Sequence, residues 1–196
     1  MSALPKYRLT ATEYLTIERA AAYKSEFYQG EMFAMAGASK EHNRVKENLI
    51  GLMFSQLLGT PCSSTSSDQR VLIEETGLYT YPDIVVTCGP GEYDPDDEDS
   101  LTNPTAIIEV LSPSTEGYDR GAKFRQYTRI RSLKEYLVVA QAEAAIERYA
   151  RQADGTWNIT SFVGLEAELV FESIPVRIPL GSIYRDVEFA GAATGV

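Results

Sequence analysis

The sequence predicts an α/β fold built on a mixed β-sheet, and three observations carry that prediction. Two short aliphatic runs, Ala106–Leu111 (AIIEVL) and Glu135–Ala140 (EYLVVA), have the length and composition of buried strands. Between them, Tyr118–Arg131 places apolar residues at helical spacing, so the trio forms a strand-helix-strand unit with a parallel, right-handed crossover. A helix and two further strand-like segments precede this unit, giving the central order helix, strand, strand, strand, helix, strand.

The individual elements follow from local signals. Thr10-Ala-Thr-Glu13 is a capping box, in which hydroxyl and carboxylate satisfy orphan N–H groups reciprocally, and the helix it opens is expected to reach about Ala22. Ser25–Ala36 predicts a hairpin turning at Gln29-Gly30, since glycine adopts positive φ without steric cost. Ser39 caps a second helix, whose Val45, Leu49, Leu52, Met53 and Gln56 share one face, and which ends near Gly59-Thr60-Pro61. Ser63–Glu74 is expected to be one long, partly exposed strand. Tyr81–Cys88 is expected to be a short buried one, with Pro82 at its entrance. The stretch 91–100 is a loop too charged to pack. Beyond the strand-helix-strand unit, Ala145–Ala150 and Thr156–Val163 predict a hairpin, followed by an edge strand and a terminal helical turn. No repeat, low-complexity linker or boundary interrupts the pattern, so residues 1–196 are expected to form a single domain.

Composition narrows the function classes. Hydrophobic residues at 44% and charged residues at 23% exclude a largely disordered chain. No apolar run approaches the ~18 residues of a membrane span, and the opening MSALPKYRLT lacks the apolar core of a secretory signal. Cys62 and Cys88 are too few for a disulfide framework and lack metal-site spacing; they read as small buried hydrophobes in a reducing cytoplasm. The net charge of −10 argues against nucleic acid, but its distribution qualifies that argument. Residues 91–100 hold six carboxylates, whereas 120–134 hold six of the eighteen basic side chains.

Glu109 is the informative residue. It lies inside an aliphatic strand, where a carboxylate costs several kcal/mol unless it is paired or metal-bound. Asp83 poses the same question at the head of another buried strand, and neighbouring antiparallel strands would bring the two together. Paired carboxylates oppose each other's charge unless a cation lies between them, and few oxygen ligands with open water positions suit Mg²⁺ or Mn²⁺. On the following helix, Lys123 falls within the inward stripe of Phe124, Tyr127 and Ile130, so its ammonium needs a carboxylate or a phosphate. On these residues alone the alternatives stay open: Glu109 facing solvent, Asp83 capping a turn, and Lys123 extending to water beside Asp119.

Pro82-Asp83, Glu109-Val-Leu-Ser-Pro-Ser-Thr, Tyr118-Asp-Arg-Gly-Ala-Lys123, Tyr127 and Glu135-Tyr-Leu together resemble the Uma2 family, a branch of the PD-(D/E)XK nuclease superfamily. Ser25-Glu-Phe-Tyr-Gln-Gly and His42 extend the resemblance to nearly the whole chain. It implies a restriction-endonuclease-like mixed sheet with an αβββαβ core, flanking helices and added terminal hairpins. It also implies a metal-dependent endonuclease in which Asp83, Glu109 and the Val110 carbonyl hold one or two Mg²⁺ or Mn²⁺ ions. The lysine of the superfamily pattern, two residues after Glu109, is here Leu111, which leaves Lys123 as its counterpart. Glu26 is the candidate auxiliary carboxylate, unless it merely pairs with Lys24. DNA is the expected substrate, with Arg125, Arg129 and Arg131 as backbone contacts, and cutting both strands would most simply use a homodimer. No membrane partner is expected. His42, the sole histidine, excludes a two-histidine mechanism and is expected to be structural or to hydrogen-bond near the site, while Asp68, in the strand before Asp83, could face the same cleft. Two alternatives remain: a catalytically silent interaction module on the nuclease fold, and a metal-dependent hydrolase of a smaller phosphoester.

Overall fold

A computed structural model describes residues 8–189. Its first helix, α1 (Ala11–Ala20), opens on the capping box: Glu13 N–H donates to the Thr10 hydroxyl at 3.2 Å, and Thr10 N–H donates to the Glu13 carboxylate at 2.8 Å. The hairpin β1 (Ser25–Tyr28) and β2 (Glu31–Ala34) turns at Gln29 and Gly30, with φ of 51° and 84°. A Cβ on Gly30 would also come within 2.6 Å of the Arg8 side chain, so both conformation and packing require glycine there. Helix α2 (Lys40–Leu57) starts on Ser39, whose hydroxyl accepts from His42 N–H at 3.1 Å.

Then come β3 (Cys62–Ser66), β4 (Arg70–Ile73), β5 (Leu78–Thr80), β6 (Ile84–Cys88), β7 (Tyr93–Asp94), β8 (Asp97–Leu101) and β9 (Ala106–Val110). The next helix is in three parts: α3 (Glu116–Tyr118), a π turn (Asp119–Lys123) and α4 (Phe124–Tyr127). The chain continues through β10 (Glu135–Val139), β11 (Ala145–Arg151), β12 (Trp157–Val163), β13 (Glu168–Val170), β14 (Arg177–Pro179) and α5 (Leu180–Ile183).

The main sheet has the order β12-β11-β10-β9-β6-β3. Only β9 and β10 run parallel in it, as the crossover requires, and all residues of both are buried. Against one face pack Val45, Leu49 and Met53 of α2, together with Ile178, Leu180 and Ile183 near the C-terminal end. The other face receives Tyr127 and Ile130, with Val71, Ile73 and Leu78 brought in from a second sheet. Along the chain, α2, β3, β6, β9, the broken helix and β10 realise the expected αβββαβ order.

Five expectations need correction. The edge strand expected after the β11–β12 hairpin is instead a separate two-stranded sheet of β13 and β14. Ser63–Glu74 is not one strand, because Gln69 N–H closes a turn on the Ser66 carbonyl at 3.0 Å and the two pieces join different sheets. The strand expected from Tyr81 begins only at Ile84, and β5 precedes it in the second sheet, ordered β2-β1-β5-β4-β8-β7. The acidic stretch does pack: β7 and β8 form a hairpin, and Asp97 is buried against Arg70, Arg19 and Ser100. A carboxylate can be buried when its partners come with it, and Arg70 lies 27 residues away in sequence. Finally, the β3–β6 register sets Cys62 opposite Cys88, and the two form a disulfide. Their separation of 26 residues hid that pairing.

Burial alone would raise the Asp97 pKa, but hydrogen bonds from Ser100, Arg70 and Arg19 outweigh it and hold the carboxyl below its ordinary range. A depressed folded-state pKa contributes stability that is present above about pH 4 and lost as pH falls through the folded value. Asp97→Asn is therefore expected to cost about 3–5 kcal/mol at neutral pH, since Arg70 loses its buried ion-pair partner. It should also flatten the acid limb of stability against pH in urea unfolding. An acid limb as steep as in the unsubstituted protein would locate that dependence elsewhere.

Candidate active site at the edge between two sheets

Tyr81-Pro82 carry the chain from the second sheet into the main one and deliver Asp83 to the head of β6. Strands β6 and β9 are antiparallel with Ile84 opposite Ile108, so Asp83 comes to lie beside Glu109. The Asp83 N–H approaches Glu109 Oε2 at 3.4 Å, and Val110 N–H donates to Asp83 Oδ2 at 2.8 Å. From α2, His42 Nε2 lies 2.9 Å from Asp83 Oδ1, while its buried Nδ1 has no partner among the described residues. From the far side, Lys123 Nζ sits 2.8 Å from Glu109 Oε1, 3.1 Å from Glu26 Oε1 and 3.7 Å from Asp119 Oδ1.

The supporting groups are aromatic and hydroxylic. Tyr127 Oη donates to Glu109 Oε1 at 2.8 Å. Glu26 accepts from the Thr80 hydroxyl and from Tyr118 Oη. The rings of Tyr118 and Tyr127 lie 5.9 and 6.0 Å from the Lys123 ammonium, within cation–π range. The π turn at Asp119–Lys123 ends on the lysine itself, and such turns are often found at functional sites.

Charge balance defines what the site can do. Burial would lower the Lys123 pKa, but Glu109, Glu26 and Asp119 raise it well above its ordinary value, so the side chain is a cation and not a proton acceptor at neutral pH. Burial pushes the Glu109 pKa up against the pull of Lys123, and Asp119 and Asp83 push it further. Asp119 is likewise raised, chiefly by burial. Three carboxylates thus surround one ammonium, with Asp83 beside Glu109 as a fourth, an excess that a divalent cation would relieve. The donors are all oxygen, which suits a hard ion held by one or two carboxylates and water. The described residues contain no compact cluster of three His, Cys, Asp or Glu ligands, and a two-carboxylate site does not need one. The donor chemistry fits a Mg²⁺-class ion.

Asp83, Glu109, Lys123 and Glu26 are thus brought together, with Glu26 facing Lys123 while Lys24 pairs with Asp68. Arg125, Arg129 and Arg131 are not brought there: all three are exposed on the outward side, and Arg129 pairs with Glu75 at 3.1 Å. Thr80 went unnoticed in the sequence because nothing in its local pattern sets it apart, and Tyr118 stood out only within a family motif, not as a partner of Glu26. Asp119 was visible only as an i,i+4 neighbour of Lys123.

Fold and geometry define an α/β protein of restriction-endonuclease-like build. The family model Uma2, described as "Putative restriction endonuclease", matches residues 11–180. The chain belongs to the Uma2 family. It is 37% identical over 185 residues to the protein slr1290 of Synechocystis sp., covering 94% of this chain and 96% of that one. It is 38% identical over 168 residues to sll1609 of the same organism, covering 86% and 95%. A crystal structure from Anabaena variabilis, described as a "putative nuclease belonging to DUF820", superposes with a TM-score of 0.72 at 15% identity, over 90% of this chain and 97% of that one. At that identity the likeness concerns the fold. No helix among the described residues is long and apolar enough to cross a membrane.

Lys123→Met should destabilise the protein by about 3–5 kcal/mol in urea unfolding, because the buried Glu109 and Asp119 and the half-buried Glu26 would face one another without their cation. Adding Glu109→Gln to it should recover part of the loss. A Lys123→Met protein as stable as the unsubstituted one would mean that the ammonium is not the counter-charge.

Proposed function

We propose that this protein is a metal-dependent endonuclease that hydrolyses phosphodiester bonds of DNA. The observation that carries the reading is the convergence of Asp83, Glu109 and Lys123 at one sheet edge, with carboxylates outnumbering the cation. Asp83, Glu109 and the Val110 carbonyl would hold Mg²⁺ or Mn²⁺, which supplies a polarised phosphoryl oxygen and a more acidic water.

The remaining roles belong to the chain. His42 and the Val110 N–H fix the two oxygens of Asp83, and Tyr127 fixes Glu109, so the carboxylates do not have to reorganise as charge develops. Lys123, charged throughout, orients the attacking water or offsets negative charge building on the phosphoryl group. Glu26 and Asp119 hold its ammonium in place. Double-strand cleavage would use two such sites in a homodimer. The reading extends to a cytoplasmic location, where Cys62 and Cys88 would be thiols and the β3–β6 ladder would hold the strands without the disulfide.

A silent module on the same fold is the second reading. It is favoured by the protein partners already engaging both Asp83 oxygens and Glu109 Oε1. Nicking of supercoiled plasmid tests the first against the second. Cleavage with Mg²⁺ or Mn²⁺, abolished by EDTA, is expected to fall at least ~100-fold in Asp83→Asn, Glu109→Gln and Lys123→Met. Equal activity in all four proteins would remove these residues from the chemistry. Thermal stabilisation by Mg²⁺ that is lost in Asp83→Asn would establish metal binding even without cleavage, and its absence would favour the silent module.

A further inference from the structure

Outside the carboxylate cluster, two lysines converge on one residue of the turn between β3 and β4. Lys24 Nζ donates to the Ser67 carbonyl at 2.7 Å, and Lys46 Nζ donates to the Ser67 hydroxyl at 3.3 Å. Among the described residues, neither ammonium pairs with a buried carboxylate. Lys24 pairs with Asp68, whose side chain is 89% exposed. Lys46 has Glu47, 3.9 Å away and 65% exposed, and feels the charge of Asp68, although its own side chain is just 13% exposed. A lysine withdrawn that far from water without a close carboxylate is a group short of an anion.

Each part of this cluster is tied to a group of the candidate site. Lys46 is one turn along α2 from His42, which contacts Asp83. Lys24 is two residues before Glu26, and its ammonium lies 5.5 Å from the ring of Tyr81, two residues before Asp83. Ser67 follows Ser66, which pairs with Ile84, the residue after Asp83. Lys24, Asp68 and Tyr81 also line a cleft of about 620 Å³ whose other residues include Glu98 and Asp99. Arg19 and Arg70 line it as well, and Glu98 and Asp99 would repel a phosphate from their side.

We propose that Lys24 and Lys46 form a clamp for a backbone phosphate of the substrate strand next to the scissile one, and that Asp68 occupies the anion position until the substrate displaces it. Its exposure lets Asp68 swing away, and the charge and hydrogen bond of Lys24, with a smaller contribution from Lys46, keep it ionised as a stand-in. The clamp rests on the nuclease reading and names the surface on which that reading would bind DNA. It replaces the outward arginines, Arg125, Arg129 and Arg131, in that role.

The test is binding of a short fluorescein-labelled duplex in EDTA, where nothing is cut, titrated at several salt concentrations. Unsubstituted protein should bind with an affinity that falls steeply with salt. Lys24→Ala and Lys46→Ala should each weaken binding about 5- to 10-fold and lower the log–log salt slope by about one. Lys→Arg at either position should restore both quantities, and Asp68→Asn should tighten binding. Circular dichroism would verify that the variants fold. Binding by the unsubstituted protein that is unchanged in the lysine variants would overturn the clamp alone. No binding by the unsubstituted protein would overturn the clamp together with the DNA reading.

Discussion

The register of β6 against β9 is the constraint on which the site depends. With Ile84 opposite Ile108, Asp83 and Glu109 meet at the end of the ladder, and the carboxylate of Asp83 takes the N–H of Val110. A slip of one residue would turn one of the two carboxylates to the opposite face of the sheet. The register is held by burial: Ile84, Val85 and Val86 of β6 and every residue of β9 are shielded from water on both faces. Two carboxylates are therefore set side by side by aliphatic packing that has no chemistry of its own.

The second sheet completes what the main sheet begins. It contributes Glu26 from β1 and Thr80 from the end of β5, and the segment that leaves it carries Asp83. The buried Arg70–Asp97 pair, with Tyr81 Oη accepting from Arg70, anchors the start of that segment. In this way an acidic hairpin remote from the carboxylates steadies the strand that presents one of them.

Legibility in the sequence divided along physical lines. Elements whose signal is local were readable: the Thr10 capping box, the turn at Gln29-Gly30, the uninterrupted aliphatic runs at Ala106 and Glu135, and the inward stripe that includes Lys123. Asp83 and Glu109 stood out because a carboxylate among aliphatic residues demands a partner. What escaped depended on groups distant in sequence. Asp97 looked too charged to pack because Arg70 could not be assigned to it, and Cys62 looked unpaired until strand register placed Cys88 opposite. The break at Ser67–Gln69 was hidden by a run of Ser and Thr that suits a strand and a turn equally well.

Glu109 is carried by a central strand, whereas Lys123 rides on a short helix interrupted by a π turn. The two are joined by their ion pair and by side-chain packing through Phe124, Tyr127 and Tyr136, and not by a shared backbone ladder. Short helical segments open at lower free-energy cost than central strands, but opening this one would strip the carboxylates of their counter-charge, so the ion pair resists it. The same ion pair therefore tethers to the central sheet a segment that its own backbone would leave free to open.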